Sequence, residues 1–410
     1  MKTTVVIGGG PAGMMAAIEA SKSTKVILLE SNAKLGKKLF ITGKGRCNVT
    51  NAKDIGDFFN YIPGNANFLY SALYTFTNEN TMDFFHKQGV KLKVERGDRV
   101  FPNSDKSSDI ISALESALKK NEVDIRLNSK VVKVHKEGNK IDYVLLENGD
   151  KIRGDYFVIC TGGKSYPLTG STGDGYKFAQ SLGHNIIPIK PSLVPIVVKE
   201  EWIRELQGLS LKNVEFKIYE NNRCIFREFG EMLFTHYGLS GPIVLSGSRK
   251  VNTKCKQYAY IDLKPALTEE ELDKRIQRDF QSFINKEIKN ALNELLPQKI
   301  IHRMILSAEI PLDKKVHSIT KHERKKLAHV IKNFKLEIEG LRPIEEAIVT
   351  AGGVDTKEIN PSTMASKIID NLYFAGEVID VDAYTGGYNI QIAFSTGYLA
   401  GKSINDEENH

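Results

Sequence analysis

No apolar stretch in this 410-residue sequence approaches the roughly 20 residues that cross a bilayer, so no membrane-spanning helix is expected. Cysteine is sparse. The four cysteines, Cys47, Cys160, Cys224 and Cys255, form no CxxC pair and the nine histidines include no HExxH, so neither a zinc site nor a redox dithiol is signalled and no metal is expected. Reduced thiols in the cytosol are the simplest reading. A secretory leader is also missing: Lys2 precedes an apolar run, but Gly8, Gly9, Gly10 and Pro11 break it and Glu19 follows. The N-terminus is therefore expected to be retained, in a cytoplasmic protein. With 41% hydrophobic and 26% charged residues, disordered and fibrous classes drop out. The length suits two or three domains. A net charge of +7 permits an anionic partner, but it is equally a solubility feature.

What is present begins at Thr3. A β-branched run, Val5-Val6-Ile7, feeds glycines at 8, 10 and 13; a helical stretch follows, and a second strand, Val26 to Leu29, ends on Glu30. This is a βαβ unit carrying a dinucleotide fingerprint. Gly8 permits the tight turn, Gly10 the approach of a pyrophosphate to backbone, and Gly13 the packing of helix on strand. An anion would sit on the helix N-terminus, where unpaired N–H groups and the dipole favour it. Glu30 falls where a carboxylate accepts hydrogen bonds from ribose hydroxyls.

The next segment carries Lys34, Lys37, Lys38, Lys44 and Arg46 among Gly36, Gly43 and Gly45, a composition suited to a loop around a phosphorylated ligand. Cys47, beside Arg46, is either a thiol activated by a nearby cation or a small packing residue. Helices are expected over 66–89 and 107–120, and strands over 129–135, 141–147 and 154–160, with turns at Gly138-Asn139 and Asn148-Gly149. The last strand runs into Thr161-Gly162-Gly163, a second place where backbone can approach a ligand. From 193 to 262 short alternating segments, such as Val214, Phe216 and Ile218, point to a small antiparallel sheet or barrel. Two capping boxes then open helices: Thr268 with Glu271, followed by Leu272, Ile276, Phe280, Ile284, Ile288 and Leu292, and Thr320 with Glu323. The lysine-rich stretch 313–335 reads as a solvated face. Near the end a strand, Leu372 to Ala375, stops at Gly376-Glu377, and Gly386-Gly387 open a helix from about Tyr388 to Lys402. Residues 406–410 read as a frayed end.

These blocks resemble the bacterial FAD-binding flavoproteins grouped with aminoacetone oxidase, within the superfamily of two-dinucleotide-binding-domain flavoproteins. The resemblance rests on GGGPAGMMAA at 8–17, TGKGRCNVTN at 42–51, RVFP at 99–102, TGGKSYPLTGSTGDGY at 161–176, GEMLFTHYGLSGP at 230–242 and AGEVIDVDAYTGGYNIQIAFSTG at 375–397. Lys44 stands where many members have glycine. The resemblance implies an α/β fold, a Rossmann-like FAD-binding domain (1–190 and 351–410) interrupted by an antiparallel, barrel-like substrate domain (191–264 and 335–350) and a helical insert (265–334). It implies that Gly8, Gly10, Pro11, Ala12 and Gly13 hold the FAD pyrophosphate and Glu30 the adenosine ribose. Lys37, Lys38, Arg46, Cys47 and Asn48 would line the cofactor toward its flavin end, and Val131 would touch adenine. Thr161, Gly162 and Gly163 form a second approach, and Gly376, Glu377 and Asp380 meet the ribityl or pyrophosphate. Gly386 and Gly387, with Tyr388, Asn389 and Ile390, would adjoin the flavin.

The expected activity is that of an FAD-dependent oxidoreductase exchanging a hydride with a small organic substrate, amine-like, amino-ketone-like or steroid-like. Only one nucleotide fingerprint is present, which favours an oxidase or an enzyme that binds NAD(P)H transiently, with NAD(P)H or oxygen as redox partner. His236, then Tyr237 and Tyr166, are the candidates for acid–base chemistry. Nucleic acid and membrane are disfavoured as partners. An RNA-modifying flavoprotein using 313–335, and a non-catalytic flavin redox sensor, are the alternatives.

Overall fold

Val5, Val6 and Ile7 offer no polar face, and a strand built of such residues is stable only when covered on both sides. In the computed structural model, which describes residues 1–409, Thr3–Ile7 is the middle strand of a five-stranded parallel sheet. The order is Leu372–Phe374, Tyr156–Ile159, Thr3–Ile7, Lys25–Leu29, Asp124–Arg126. Ile7 is level with Ile159, and Ile159 with Phe374. Three strands from remote parts of the sequence therefore stop along one edge, the carboxyl edge where parallel sheets bind ligands.

The opening helix, Pro11–Ala20, and the final helix, Tyr388–Glu408, pack on each other almost backbone to backbone. A Cβ added at Gly397 would lie 2.2 Å from the carbonyl oxygen of Ala12, and one at Gly401 2.7 Å from that of Ala16. Further along, Asn405 Nδ2 donates to the Glu19 carbonyl at 2.9 Å. The pairs ascend together, so the helices run parallel. At 1.5 Å per residue the final helix starts about 12 Å beyond the opening one. It also runs past the frayed end expected from the sequence: Lys2 and Tyr156 hold Glu408 at 2.7 and 2.6 Å, while His410 lies outside the described residues.

The chain divides into two units, Met1–Ser192 with Ile344–His410, and Leu193–Pro343. Residues 344–350, expected in the antiparallel domain, fall in the first unit, where Val349–Val354 pairs with Ile186–Ser192. The hairpin Val131–Glu137 and Lys140–Leu146 turns at Gly138-Asn139 as expected, but its third strand is Lys151–Arg153, and Tyr156–Ile159 leaves for the parallel sheet. The helix expected over 66–89 is broken at Phe76, where Thr77 caps a new helix, Asn78–Lys87.

In the second unit the alternating segments form a closed antiparallel barrel, ordered Ile196–Val198, Gly238–Ser240, Arg223–Phe234, Ser210–Glu220, Gln257–Asp262, Phe334–Leu341. The last of these closes the barrel against the first. The helices between 269 and 332 share one apolar core with the barrel. Both capping boxes form, but the first helix ends at Ser282, short of the run to Leu292. The reason is geometric. Residues four apart slip about 40° around a 3.6-residue helix, so by Ile284 the apolar line has drifted about 120° from Leu272. Ile284 is accordingly 51% exposed. Among the described residues no helix is long and apolar enough to cross a membrane.

Glu228 faces inward in the barrel: it lies opposite buried Phe216, and burial pushes it up to about 7 despite a hydrogen bond with Ser246. The folded state then keeps a proton that the unfolded chain releases, so this group's contribution declines as pH rises through the folded value. Glu228→Gln is expected to exceed the parent in stability by about 1–3 kcal/mol above pH 7, with the gap closing near pH 4.5, in urea melts across pH. Gly397→Ala, despite its better helix propensity, is expected to lose about 2 kcal/mol, because its methyl meets backbone rather than a movable side chain. An unchanged melting temperature would remove the close helix contact from the account.

Candidate cofactor site

The three glycines of the opening motif are required for three different reasons. Gly8 adopts φ +110°, and a Cβ there would lie 2.5 Å from the Cys160 carbonyl oxygen, so the turn and the neighbouring strand both exclude a side chain. At Gly13 a Cβ would come within 1.9 Å of the Gly8 carbonyl oxygen; the helix could not rest on the strand. Gly10 differs: a Cβ would meet no protein atom within 4 Å. Nothing in the fold demands glycine there, which leaves the demand with a ligand. Gly10 begins a helix that no side chain caps, and Pro11 occupies its first turn. Donors and dipole face open space suited to a pyrophosphate.

Glu30, at the end of its strand, is buried and accepts four hydrogen bonds. Oε2 accepts from Gly9 N at 2.8 Å; Oε1 accepts from Asn32 N at 2.8 Å, Asn32 Nδ2 at 2.7 Å and Ser31 Oγ at 3.1 Å. Three donors thus crowd Oε1 while Oε2 accepts only one and keeps a lone pair to spare. Two of the donors are side chains that can rotate away, so ribose hydroxyls can take their places while Gly9 and Asn32 backbone keep the carboxylate fixed. Ser129 N donates to the Glu30 carbonyl at 2.8 Å, which brings Val131 toward the same strand end.

Along the edge, Gly162 (φ +71°) and Gly163 follow the second strand, and Gly376 (φ +77°) the third. A Cβ at Gly163 would lie 2.4 Å from Thr350 Oγ1 and 2.8 Å from Glu377 Oε1. Around it is a polar cluster that the sequence did not disclose as such: Lys38 Nζ meets Glu377 Oε2 and Ser165 Oγ, each at 2.7 Å, and Thr350 N donates to Glu377 Oε1 at 2.7 Å. The available signal was Thr350, a hydroxyl in the otherwise apolar run IVTAGGV. Asp380 accepts from Asn65 at 2.9 Å. Two buried oxygens, Thr161 Oγ1 and Asn48 Oδ1, have no partner. Orphaned buried acceptors and a side-chain-free cradle fit a bound dinucleotide.

At the other end, Gly386 and Gly387 have φ +131° and +100°, and a Cβ at Gly387 would lie 2.3 Å from the Thr50 carbonyl oxygen. The helix they open is uncapped by side chains. Tyr388 points into the core, stacked on Tyr61 at 4.5 Å; Asn389 folds back on Ala383, and Ile390 is half-buried.

The basic loop separates. Lys37 donates to Asn32 at 3.2 Å, whereas Arg46 is held by Glu95 (2.6 Å) and Asp105 (2.8 Å) and lies over Phe101. Lys44, at φ +60°, takes the left-handed conformation that glycine adopts most readily. Cys47 is fully buried and desolvation pushes its thiol up to about 12, which favours the packing reading over the activated thiolate. Cys160 is raised for the same reason. Of the acid–base candidates, Tyr166 lies in the first unit, half-buried at φ +52°. His236 and Tyr237 lie in the second, where exposed His236 meets Tyr237 edge to face at 4.7 Å and Arg342 covers the Tyr237 ring.

Residues 2–403 match the family model described as the HI0933-like protein Rossmann domain. The chain is 31% identical over 408 residues to the 3-dehydro-bile acid delta(4,6)-reductase of Clostridium scindens, covering 97% of this chain and 98% of that one. It is 32% identical over 402 residues to the ribosomal RNA dihydrouridine synthase of Escherichia coli, covering 98% and 97%. Among solved structures it is similar in fold to the 3-ketosteroid delta1-dehydrogenase of Sterolibacterium denitrificans, with a TM-score of 0.52 at 12% identity over 99% and 100% of the two chains.

Gly10→Ala separates the two kinds of glycine. The variant is expected to fold with a melting temperature close to the parent's apo form, yet to bind FAD at least about 10-fold more weakly by flavin fluorescence, because its methyl occupies the ligand's space. Parent-like FAD affinity would place the pyrophosphate elsewhere.

Proposed function

The chain belongs to the HI0933-like family and is an FAD-dependent oxidoreductase, and on that premise we propose that its reaction saturates a carbon–carbon double bond conjugated to a carbonyl. One observation carries this reading: two relatives aligned end to end with the chain have names that differ in substrate and agree in bond chemistry. A 3-oxo steroid with a double bond at carbon 4 is an enone, and dihydrouridine is uridine with the bond conjugated to a ring carbonyl saturated. Bound and reduced, FAD supplies a hydride to one carbon of such a bond.

The remaining work falls to the chain. Gly8, Gly10, Pro11, Ala12, Gly13 and Glu30 are assigned to the pyrophosphate and ribose, with Val131 at the adenine. The Lys38–Glu377 cluster, Thr161 to Gly163 and Asp380 follow along the sheet edge. The uncapped start of the final helix, at Gly386 and Gly387, is assigned to the negative charge of the reduced ring system. His236, Tyr237 and Tyr166 are the proposed sources of the proton for the second carbon. The barrel is assigned to substrate selection. Four unpaired thiols suit a reducing, cytoplasmic setting, and transient NAD(P)H is the proposed electron source.

The first substrate reading is a small enone of steroid type. A second is uridine within RNA, favoured by the named relative and by how charge divides. Residues 193–343 hold 27 Lys and Arg against 20 Asp and Glu, while the rest of the chain balances at 30 of each. The whole excess lies in one unit. Oxidation of amines or amino-ketones, with oxygen as acceptor, is the competing reading from the likeness to aminoacetone oxidase.

Anaerobic mixing tests these together. Photoreduced holoenzyme is expected to regain its yellow colour with a 3-oxo-4-ene steroid or with uridine-bearing RNA, and oxidised holoenzyme to stay yellow with amines. Bleaching by an amine, with no recolouring by either acceptor, would replace the reductase by an oxidase. His236→Ala is expected to slow recolouring by about 10²-fold without changing FAD content; an unchanged rate removes His236 from the proton transfer.

A further inference from the structure

We propose that the outer face of the barrel is a docking surface for single-stranded RNA, centred on a row of four side chains, Arg227, Lys217, Tyr260 and Lys335, that crosses four strands. The proposal rests on the uridine reading and gives that substrate a place to bind. The row is set by register: Arg227 is opposite Lys217, Lys217 opposite Tyr260, and Tyr260 opposite Lys335. Phe216, Ile218, Ala259, Ile261, Phe334 and Leu336 are all buried in the barrel. Strand alternation therefore turns 217, 219, 258, 260 and 335 outward.

Aromatic rings and cations interleave on this face. Lys335 Nζ lies 3.7 Å from the centroid of Tyr258 and 5.8 Å from that of Tyr260; Lys256 approaches Tyr258 from 5.4 Å, and Tyr219 meets Tyr260 at 5.0 Å. Phe229, outward on the strand that carries Arg227, is 57% exposed. Two carboxylates oppose the cations: Glu215 binds Lys217 and Arg227, each at 2.5 Å, and Glu337 binds Lys199 at 2.5 Å and Lys256 at 3.6 Å. Five cations against these two carboxylates and exposed Glu339, on the Lys335 strand, leave the face positive, and among the described residues no ion pair ties Lys335 to a carboxylate. Rings that present a π-face to a base, beside cations that meet phosphate, are what sequence-tolerant binding of a single strand uses.

The lysine-rich helical stretch is the weaker site. Of its seven cations from Lys314 to Lys332, five are tied to carboxylates: Lys314 to Glu323, Lys315 to Glu287, Arg324 to Asp273, Lys326 to Glu309 and Lys332 to Asp262. Cations on the barrel face are paired too, Lys217 and Arg227 with Glu215 and Lys199 and Lys256 with Glu337, so the difference lies in the rings: among the described residues none of the seven helix cations lies over an aromatic ring.

The test is fluorescence anisotropy of a labelled uridine-rich RNA of about twelve nucleotides with FAD-loaded full-length protein. The parent is expected to bind with an affinity falling as roughly the second to third power of salt concentration, the signature of three or four phosphates on a single strand. Tyr260→Ala combined with Lys335→Glu is expected to lose at least about 10-fold, and Tyr260→Phe to bind like the parent, since stacking survives. Lys325→Glu, the same charge change on the helix, is expected to cost less than about threefold, with FAD content and recolouring by the steroid unchanged throughout. Equal losses in the double variant and in Lys325→Glu would reduce the effect to bulk charge and overturn the platform. An unaffected double variant that still forms dihydrouridine in ribosomal RNA would overturn the platform and leave the uridine reading standing. A parent that neither binds RNA at low salt nor forms dihydrouridine would end both.

Discussion

The first unit depends on backbone meeting backbone with no side chain between. Gly13 rests on the Gly8 carbonyl, Gly397 on that of Ala12, Gly401 on that of Ala16 and Gly387 on that of Thr50. Each contact sets two elements closer than any other residue allows, and together they fix where the strand ends and two helix starts lie. A methyl at any of them meets a peptide group that cannot turn aside, which is costlier than crowding a flexible side chain. The cradle is thus made by subtraction, and its polar atoms come last.

What the sequence disclosed follows from that. Gly8, Gly10 and Gly13, framed by strand, helix, strand and Glu30, were legible because close approach leaves a residue-type signature at fixed spacing. Two capping boxes were legible for the same reason: Thr268 with Glu271, and Thr320 with Glu323, are local hydrogen-bond exchanges written in four residues. The alternation of Val214, Phe216 and Ile218 foretold the barrel, though not its closure, since the strand that seals it arrives over 70 residues after Asp262. Non-local partnership was the part that could not be read. Nothing near Lys38 announces Glu377, and nothing near Arg46 announces Glu95 and Asp105. The apolar run from Leu272 to Leu292 misled because a spacing of four imitates a helix face for two turns and then leaves it.

Charge tells a similar story. A total of +7 is uninformative when spread over 410 residues, and it becomes informative once one unit is seen to carry all of it. Within that unit the cluster of lysines visible in the sequence is largely neutralised by carboxylates of varied origin: Asp262 on a strand, Asp273 on another helix, Glu287 and Glu309 between elements, and Glu323 in the stretch itself. The cations of the outward row, Arg227, Lys217 and Lys335, come from three strands, one residue each, with Tyr260 on a fourth. Register, and not sequence proximity, assembled them.

The parallel packing of the opening and final helices has one more consequence. Two like-oriented dipoles laid side by side repel, and neither helix start carries a side-chain cap to blunt the effect. The parallel pair therefore carries an electrostatic tension that anionic groups near the two starts would relieve. A dinucleotide bound with its anionic groups at those starts would be a structural counter-ion as well as a reagent.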